Sequence, residues 1–272
     1  MMLIPIHDAQ DPRVADYANI RESRLAHERG VFIAEGVEVV RTLVLKSHFG
    51  AQSLFVLEKR LGAIADVMGA LPEETPVYVA SAEVMNQVVG FNIHRGCLAA
   101  GSRACTPSPQ SLLQGLGQQS LVVVMEGLAN HDNVGGIFRN AACFGAEAIF
   151  LDPTCADPLY RKSIRTSMGG TLRVPFARLY PWPDALQQLT ERGYTTYALS
   201  PRSDARSLDA LLAPNEPLPP RRALLVGTEG PGLSEAAFGA CSDWLRIPMA
   251  PGVDSLNAST ATGIALWALR PR

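Results

Sequence analysis

Along the chain, short continuous apolar runs alternate with segments whose apolar positions recur every three or four residues. Leu121-Val122-Val123-Val124-Met125 is apolar throughout, the pattern of a strand buried on both faces of a parallel sheet. A helix is predicted over about 134–143, then a strand at 148–151. Further strands are predicted at 195–199, 223–226 and 244–247, and a closing helix at about 257–269. Strands alternating with helices imply a parallel sheet covered on both faces. The first hundred residues alternate in the same way. A charged helical pattern spans 11–28 and an amphipathic helix spans 38–47, with Val39, Val40, Leu43 and Val44 apolar. Strands are predicted at 53–57 and 77–80, and Ser81 is placed to cap a helix running to Val88.

Between these halves, Thr106-Pro107-Ser108-Pro109-Gln110-Ser111 and Gln114-Gly115-Leu116-Gly117-Gln118-Gln119 lack a sustained apolar period and read as a linker. The expected organisation is therefore a smaller α/β domain over 1–105, a linker over 106–119 and a larger α/β domain over 120–272. With 272 residues, both halves fall within the usual domain range. The Pro-rich stretch 213–220 reads as a long connection inside the second half.

Composition narrows the class. Mean hydropathy is +0.08 and no apolar stretch of about 18 residues occurs, so no transmembrane helix is expected. The N-terminus lacks a basic region followed by an apolar one, and no secretory signal is expected. The five cysteines, Cys97, Cys105, Cys143, Cys155 and Cys241, form no C-x-x-C pair. They fit small buried residues of a cytoplasmic protein and give no zinc or disulfide spacing, so no metal is expected. The formal net charge of −2 argues against a globally basic nucleic-acid-binding domain. Yet every basic residue but Lys46, Lys59 and Lys162 is arginine, whose planar fork suits phosphate. Candidate basic clusters are Arg161-Lys162-Ser163-Ile164-Arg165 and the group Arg21, Arg24 and Arg29.

Three segments of the second half carry candidate chemistry, and each follows a predicted strand or opens a helix. The first is Asn130-His131-Asp132-Asn133-Val134-Gly135-Gly136-Ile137-Phe138-Arg139-Asn140. Asp132 or Asn133 suits a helix cap. Arg139 and Asn140 sit in an otherwise apolar helix, as ion-pair partners or facing an anionic substrate. The second is Val226-Gly227-Thr228-Glu229-Gly230-Pro231-Gly232-Leu233-Ser234, whose glycines permit close backbone approach. It matches neither a dinucleotide fingerprint nor a P-loop, which disfavours a Rossmann-type oxidoreductase or kinase. The third runs from Ile247-Pro248-Met249 through Ser255-Leu256-Asn257, where Ser255 or Asn257 suits a helix cap.

In order and spacing these segments resemble the three motifs of the SPOUT superfamily, in its SpoU/TrmH-type branch of RNA 2′-O-ribose methyltransferases. Asn133, Gly135 and Arg139 match the first motif. Gly227, Glu229, Gly230 and Gly232 match the second, with Thr228 where the family usually has Asn. Ile247, Pro248, Met249, Ser255, Leu256 and Asn257 match the third. Phe32-Ile33-Ala34-Glu35-Gly36 and His94-Arg95-Gly96 resemble parts of the family's ribosomal-protein-like substrate-binding domain.

The resemblance implies a deep trefoil knot in the C-terminal domain, a homodimer, and S-adenosylmethionine as cofactor. It implies a cofactor site at Val226, Gly227, Thr228, Glu229, Gly230, Ile247, Met249 and Leu256. It makes Arg139 the catalytic residue, with Asn133, Glu229, Ser255 and Asn257 organising the pocket or the ribose. Because a guanidinium is a poor general base, the favoured role for Arg139 is to hold phosphate and stabilise a developing alkoxide. The closing helix, with Ile264, Leu266, Trp267 and Leu269, either contributes to a dimer interface or packs on its own sheet. The expected substrate is structured RNA, ribosomal in preference to transfer RNA. The alternative is a non-catalytic RNA-binding protein with a degenerate methyltransferase domain.

Overall fold

The computed structural model describes residues 2–18, 25–213, 217–253 and 255–271. Twelve strands are described: β1 (Met2–Pro5), β2 (Val31–Glu35), β3 (Ala51–Leu57), β4 (Pro76–Ala80), β5 (Cys97–Ser102), β6 (Ser120–Met125), β7 (Ala148–Leu151), β8 (Phe176–Arg178), β9 (Thr195–Leu199), β10 (Arg206–Ser207), β11 (Arg221–Val226) and β12 (Asp243–Arg246). The helices used below are α1 (Val37–Lys46), α2 (Ala82–Val89), α3 (Pro109–Gly115), α4 (His131–Phe144), α5 (Arg161–Thr166), α6 (Gly170–Arg173) and α7 (Ala258–Leu269).

The chain forms two compact units. The first comprises Met1–Thr106 with Leu159–Arg173, the second Pro107–Pro158 with Val174–Arg272. Residues 159–173 thus join the first unit, although a boundary at 105 assigns them to the second. The reason is packing: α5 lies against β2 and α6 against α1, and Ile164 and Leu172 are buried. The stretch expected to be a linker instead contains α3. Ser108 caps it, its Oγ accepting the amide of Ser111 at 3.1 Å. Leu112 and Leu113 are buried with the core of the second unit. Two apolar residues in one turn were too short a signal to show a period.

The first unit is built on a five-stranded sheet in the order β1-β4-β3-β5-β2, in which β5 runs antiparallel to both neighbours. Its core gathers Phe55, Met85, Val88, Val89 and Leu98. Ser81 caps α2 as expected, its Oγ accepting the Val84 amide at 3.3 Å. Of the helix expected over 11–28, the described residues form a 3-10 turn at Pro12–Tyr17 and a π-helical turn at Leu25–Arg29, and 19–24 lie outside the described residues. Pro12 has no N–H to donate, which suits a helix start. Buried Tyr17 ties the turn down, its hydroxyl 2.7 Å from Ser53 Oγ and accepting the Ala100 amide at 3.2 Å. Of the second basic cluster, Arg29 is ion-paired to Asp16, and Arg21 and Arg24 lie outside the described residues.

The second unit is built on a seven-stranded, wholly parallel sheet in the order β10-β12-β9-β11-β6-β7-β8. The continuous apolar runs make its centre: β6 is buried at every position and pairs with β11 on one side and β7 on the other. α4 begins earlier than its apolar pattern suggests. Asn130 is its cap, accepting the Asp132 amide at 2.8 Å, so neither Asp132 nor Asn133 holds that role. Asn257 caps α7. Along α7, Leu266 and Leu269 are buried, whereas Ile264 (38%) and Trp267 (44%) face outward. Of the cysteines, Cys97 and Cys155 are buried as expected, Cys241 is half-buried, and Cys105 and Cys143 are exposed, which departs from the expectation of buried residues.

Candidate functional site

Open parallel sheets collect ligands at the carboxyl ends of their strands. In the second unit, the loops after β6, β9, β11 and β12 all emerge at this end. The loop after β11 is the tightest. A Cβ on Gly227 would lie 2.2 Å from the carbonyl carbon of Gly232, so only glycine permits the loop to fold back on itself. Gly232 N–H donates to the Thr228 carbonyl at 3.1 Å, closing the turn. Gly230 and Gly232 have φ of +85° and +75°, in the left-handed region.

Glu229, between Gly227 and Gly230, meets the other two motif segments. Asn133 Nδ2 donates to Glu229 Oε1 at 2.8 Å. Asn257 Nδ2 donates to Asn133 Oδ1 at 2.8 Å and to the same Glu229 oxygen at 3.1 Å. Asn257 also accepts the amides of Ser259 and Thr260 through Oδ1, at 3.0 and 3.2 Å. A single side chain therefore starts α7 and ties it to α4 and to the β11 loop. Asn133, only 4% exposed, has both ends of its amide satisfied by this arrangement.

Beside this triangle lies a cavity of about 390 Å³, in the usual size range of small-molecule sites. It is lined by Val226, Gly227, Thr228, Glu229 and Gly230 from one loop, and by Ile247, Met249, Ser255, Leu256 and Asn257 from another. All eight residues expected at a cofactor site thus face one space. Sequence reading missed its remaining walls: Leu199, Ser200 and Pro201 after β9, and Ala258 and Ala261 in the first turn of α7. The end of a predicted strand was the one available signal for the former.

Arg139 lies elsewhere. It is six residues beyond Asn133 on α4, about 9 Å along the axis at 1.5 Å per residue, and its side chain is exposed. Asn140 is turned toward α7, donating to the Ser259 carbonyl at 2.7 Å. The helices approach so closely that a Cβ on Gly136 would lie 2.2 Å from Ser259 Oγ. Asn140 therefore fastens helix to helix, and Arg139 is the outward cation of this segment.

One supporting residue was not anticipated. Glu126, directly after β6 and 8% exposed, accepts Trp182 Nε1 at 2.6 Å and the Ser234 hydroxyl at 2.7 Å through Oε1. Its Oε2 accepts the Ser234 amide at 2.8 Å. It anchors the far end of the β11 loop. A carboxylate directly following a buried strand was the available clue. Among the described residues no group of three or more His, Cys, Asp or Glu side chains is arranged to hold a metal, and no helix is long and apolar enough to cross a membrane.

The sequence profile of the SpoU rRNA methylase family matches residues 120–267. The chain belongs to this family. An uncharacterized tRNA/rRNA methyltransferase of Mycobacterium tuberculosis is 41% identical over 265 residues, covering 96% of this chain and 89% of the relative. Another uncharacterized tRNA/rRNA methyltransferase, from Synechocystis, is 26% identical and covers 97% and 93%. An AdoMet-bound rRNA methyltransferase from Sinorhizobium meliloti shares the fold with a TM-score of 0.79 at 23% identity, covering 98% of this chain and 97% of that one. A SpoU methyltransferase from Streptomyces viridochromogenes, in complex with AdoMet, gives 0.77 at 20% identity, covering 95% and 97%.

Proposed function

We propose that this SpoU-family chain transfers a methyl group from S-adenosylmethionine to a ribose 2′-hydroxyl of structured RNA, with ribosomal RNA favoured over transfer RNA. The observation that carries this reading is the Asn133–Glu229–Asn257 hydrogen-bonded triangle at the rim of the loop cavity. It unites one residue from each of three separate segments, which a stable fold alone does not require.

The cavity suits the cofactor. The side chains of Ile247 and Leu256 offer an apolar slot for an adenine ring, and the bare backbone at Gly227 admits close approach. Glu229 is placed for the charged or hydroxylated parts of the molecule. Bound there, S-adenosylmethionine supplies an electrophilic methyl group. The chain's own task is to present the acceptor oxygen in line with that methyl and to exclude competing water. Arg139, a fixed cation on the outward face of α4, holds the RNA phosphate and stabilises the alkoxide character that develops at the ribose oxygen. Ser255 and Asn257 orient the ribose or the loop beneath it. The same reading places the trefoil knot in the second unit. It also makes the exposed Ile264 and Trp267 of α7 part of a homodimer interface.

The test has two parts. Calorimetric titration of the purified chain should show S-adenosylmethionine binding at one site per chain. Mapping of 2′-O-methyl positions in total RNA from a deletion strain and its parent should show a position lost on deletion. Intact RNA binding without cofactor binding would replace this reading with a non-catalytic RNA-binding role.

A further inference from the structure

We propose that residues 90–96 of the first unit form a recognition loop for unpaired RNA, with Phe91 as a stacking surface and Arg95 and Arg60 as phosphate contacts. The proposal rests on the reading that the substrate is RNA and specifies which nucleotides the first unit engages.

The loop is anchored by hydrogen bonds and by its glycines. α2 ends at Gly90, which has φ of +79° and donates its N–H to the Asn86 carbonyl at 2.9 Å. Asn86 then clamps the loop with its side chain. Its Oδ1 accepts the Ile93 amide at 2.9 Å, and its Nδ2 donates to Asn92 Oδ1 at 3.2 Å. At the far end Gly96 has φ of +61°, and a Cβ there would lie 2.5 Å from Leu57 Cδ1. Met85, Val88, Val89 and Ile93 all enter the core of the unit. Phe91 does not: it is 43% exposed, although the core lies within two residues on either side. An aromatic ring kept outside by an anchored loop keeps its face available for a ligand.

Two cations belong to the same stretch: Arg95 within the loop, and Arg60 against Gly96 at its end. Arg95 is exposed and lies along bare Gly36, where a Cβ would be 3.0 Å from its Cδ. Arg60 packs beside Gly96, and its Nε is buried without a hydrogen-bond partner. Among the described residues neither arginine pairs with an acid. Arg41, which like Arg60 lies near Cys97, is by contrast bound to Glu38 and Asp66. Nearby Glu58 and Lys59 are both exposed and offset each other. An exposed ring on a loop that also carries one arginine and packs against another, neither paired with an acid among the described residues, offers the chemistry that binds single strands, where bases are free to stack and phosphates are within reach. A duplex hides the base faces and would use the cations alone.

The test uses the full chain and fluorescein-labelled mixed-sequence RNA of about 16 nucleotides, single-stranded or in duplex, read by anisotropy. Phe91→Ala should weaken single-strand binding about tenfold, leave its salt dependence unchanged and alter duplex binding less than about twofold. Arg95→Ala and Arg60→Ala should weaken both probes. Each should lower the single-strand slope of log affinity against log salt by about 0.7. A Phe91→Ala protein that binds the single strand like wild type, or loses both probes equally, overturns the stacking role. An unchanged salt slope in both arginine variants overturns the phosphate role. S-adenosylmethionine titration of the same proteins separates the two readings. Absent cofactor binding in wild type counts against the methyltransferase reading and leaves the RNA contrasts interpretable.

Discussion

Replacing Asn257 with alanine removes two kinds of support at once. The helix cap disappears, because Oδ1 no longer accepts the amides of Ser259 and Thr260; such losses cost about 1 kcal/mol. The Nδ2 donor also disappears, leaving Glu229 with one fewer hydrogen bond and Asn133 Oδ1 buried without a partner. A hydrogen bond to a carboxylate at a half-exposed site contributes about 1 kcal/mol, and a stranded buried acceptor costs about the same. The expected destabilisation is therefore about 3 kcal/mol. For a unit of this size that corresponds to roughly 6–12 °C in melting temperature. All three tryptophans, Trp182, Trp244 and Trp267, lie in the second unit, so their fluorescence during urea unfolding reports that unit selectively. Asn257→Ser separates the contributions. Its hydroxyl preserves the cap but cannot reach as an amide donor, so about 1 kcal/mol should return, with cofactor affinity still impaired. A loss below about 0.5 kcal/mol in the alanine variant, or a serine variant no more stable than alanine, would refute the claim that one side chain joins α7, α4 and the β11 loop.

Other outcomes follow from the same geometry. Gly227→Ala should displace the β11 loop by collision with Gly232, costing about 1–3 kcal/mol and lowering cofactor affinity at least tenfold by calorimetry. Arg139→Ala, at an exposed position, should change stability by less than about 0.5 kcal/mol and leave cofactor affinity nearly unchanged while abolishing methyl transfer; near-normal turnover would remove Arg139 from the reaction. A fragment lacking residues 1–106 should bind a hydrophobic dye and aggregate, because it keeps Ile164 and Leu172 but not the β2 and α1 surfaces that bury them; a monodisperse, dye-silent fragment would show that 159–173 folds without the first unit. A disulfide reagent at pH 8 should modify exposed Cys105 quickly, and Cys97 and Cys155 only after denaturation. Burial pushes both of those thiols up to about 12 and keeps them protonated.

The local chemistry of the chain fixed much of the architecture on its own. Apolar runs such as 121–125 and 223–226 can hide only in the middle of a covered parallel sheet, and they form β6 and β11 there. Ser81 and Asn257 mark helix starts because their side chains replace missing intrahelical acceptors, a requirement confined to three or four residues. The glycines at 227–232 already marked a loop open to close backbone approach, although the collision that bars a side chain at Gly227 was set by the fold. Features that depend on distant partners were not legible in this way. Ser108 and two leucines gave no period, yet α3 forms because the second unit offers those leucines a buried surface. Residues 159–173 follow β7 in the chain but pack on α1 and β2, a choice made by complementary surfaces more than a hundred residues apart. Glu126 became a loop anchor only when Trp182 and Ser234 arrived to share its carboxylate. The site divides the same way. Sequence supplied Asn133, Glu229 and Asn257 as polar residues with no stated partner. Only the folded sheet, by bringing strand ends 96 and 124 positions apart to one edge, made a single hydrogen-bonded group of them.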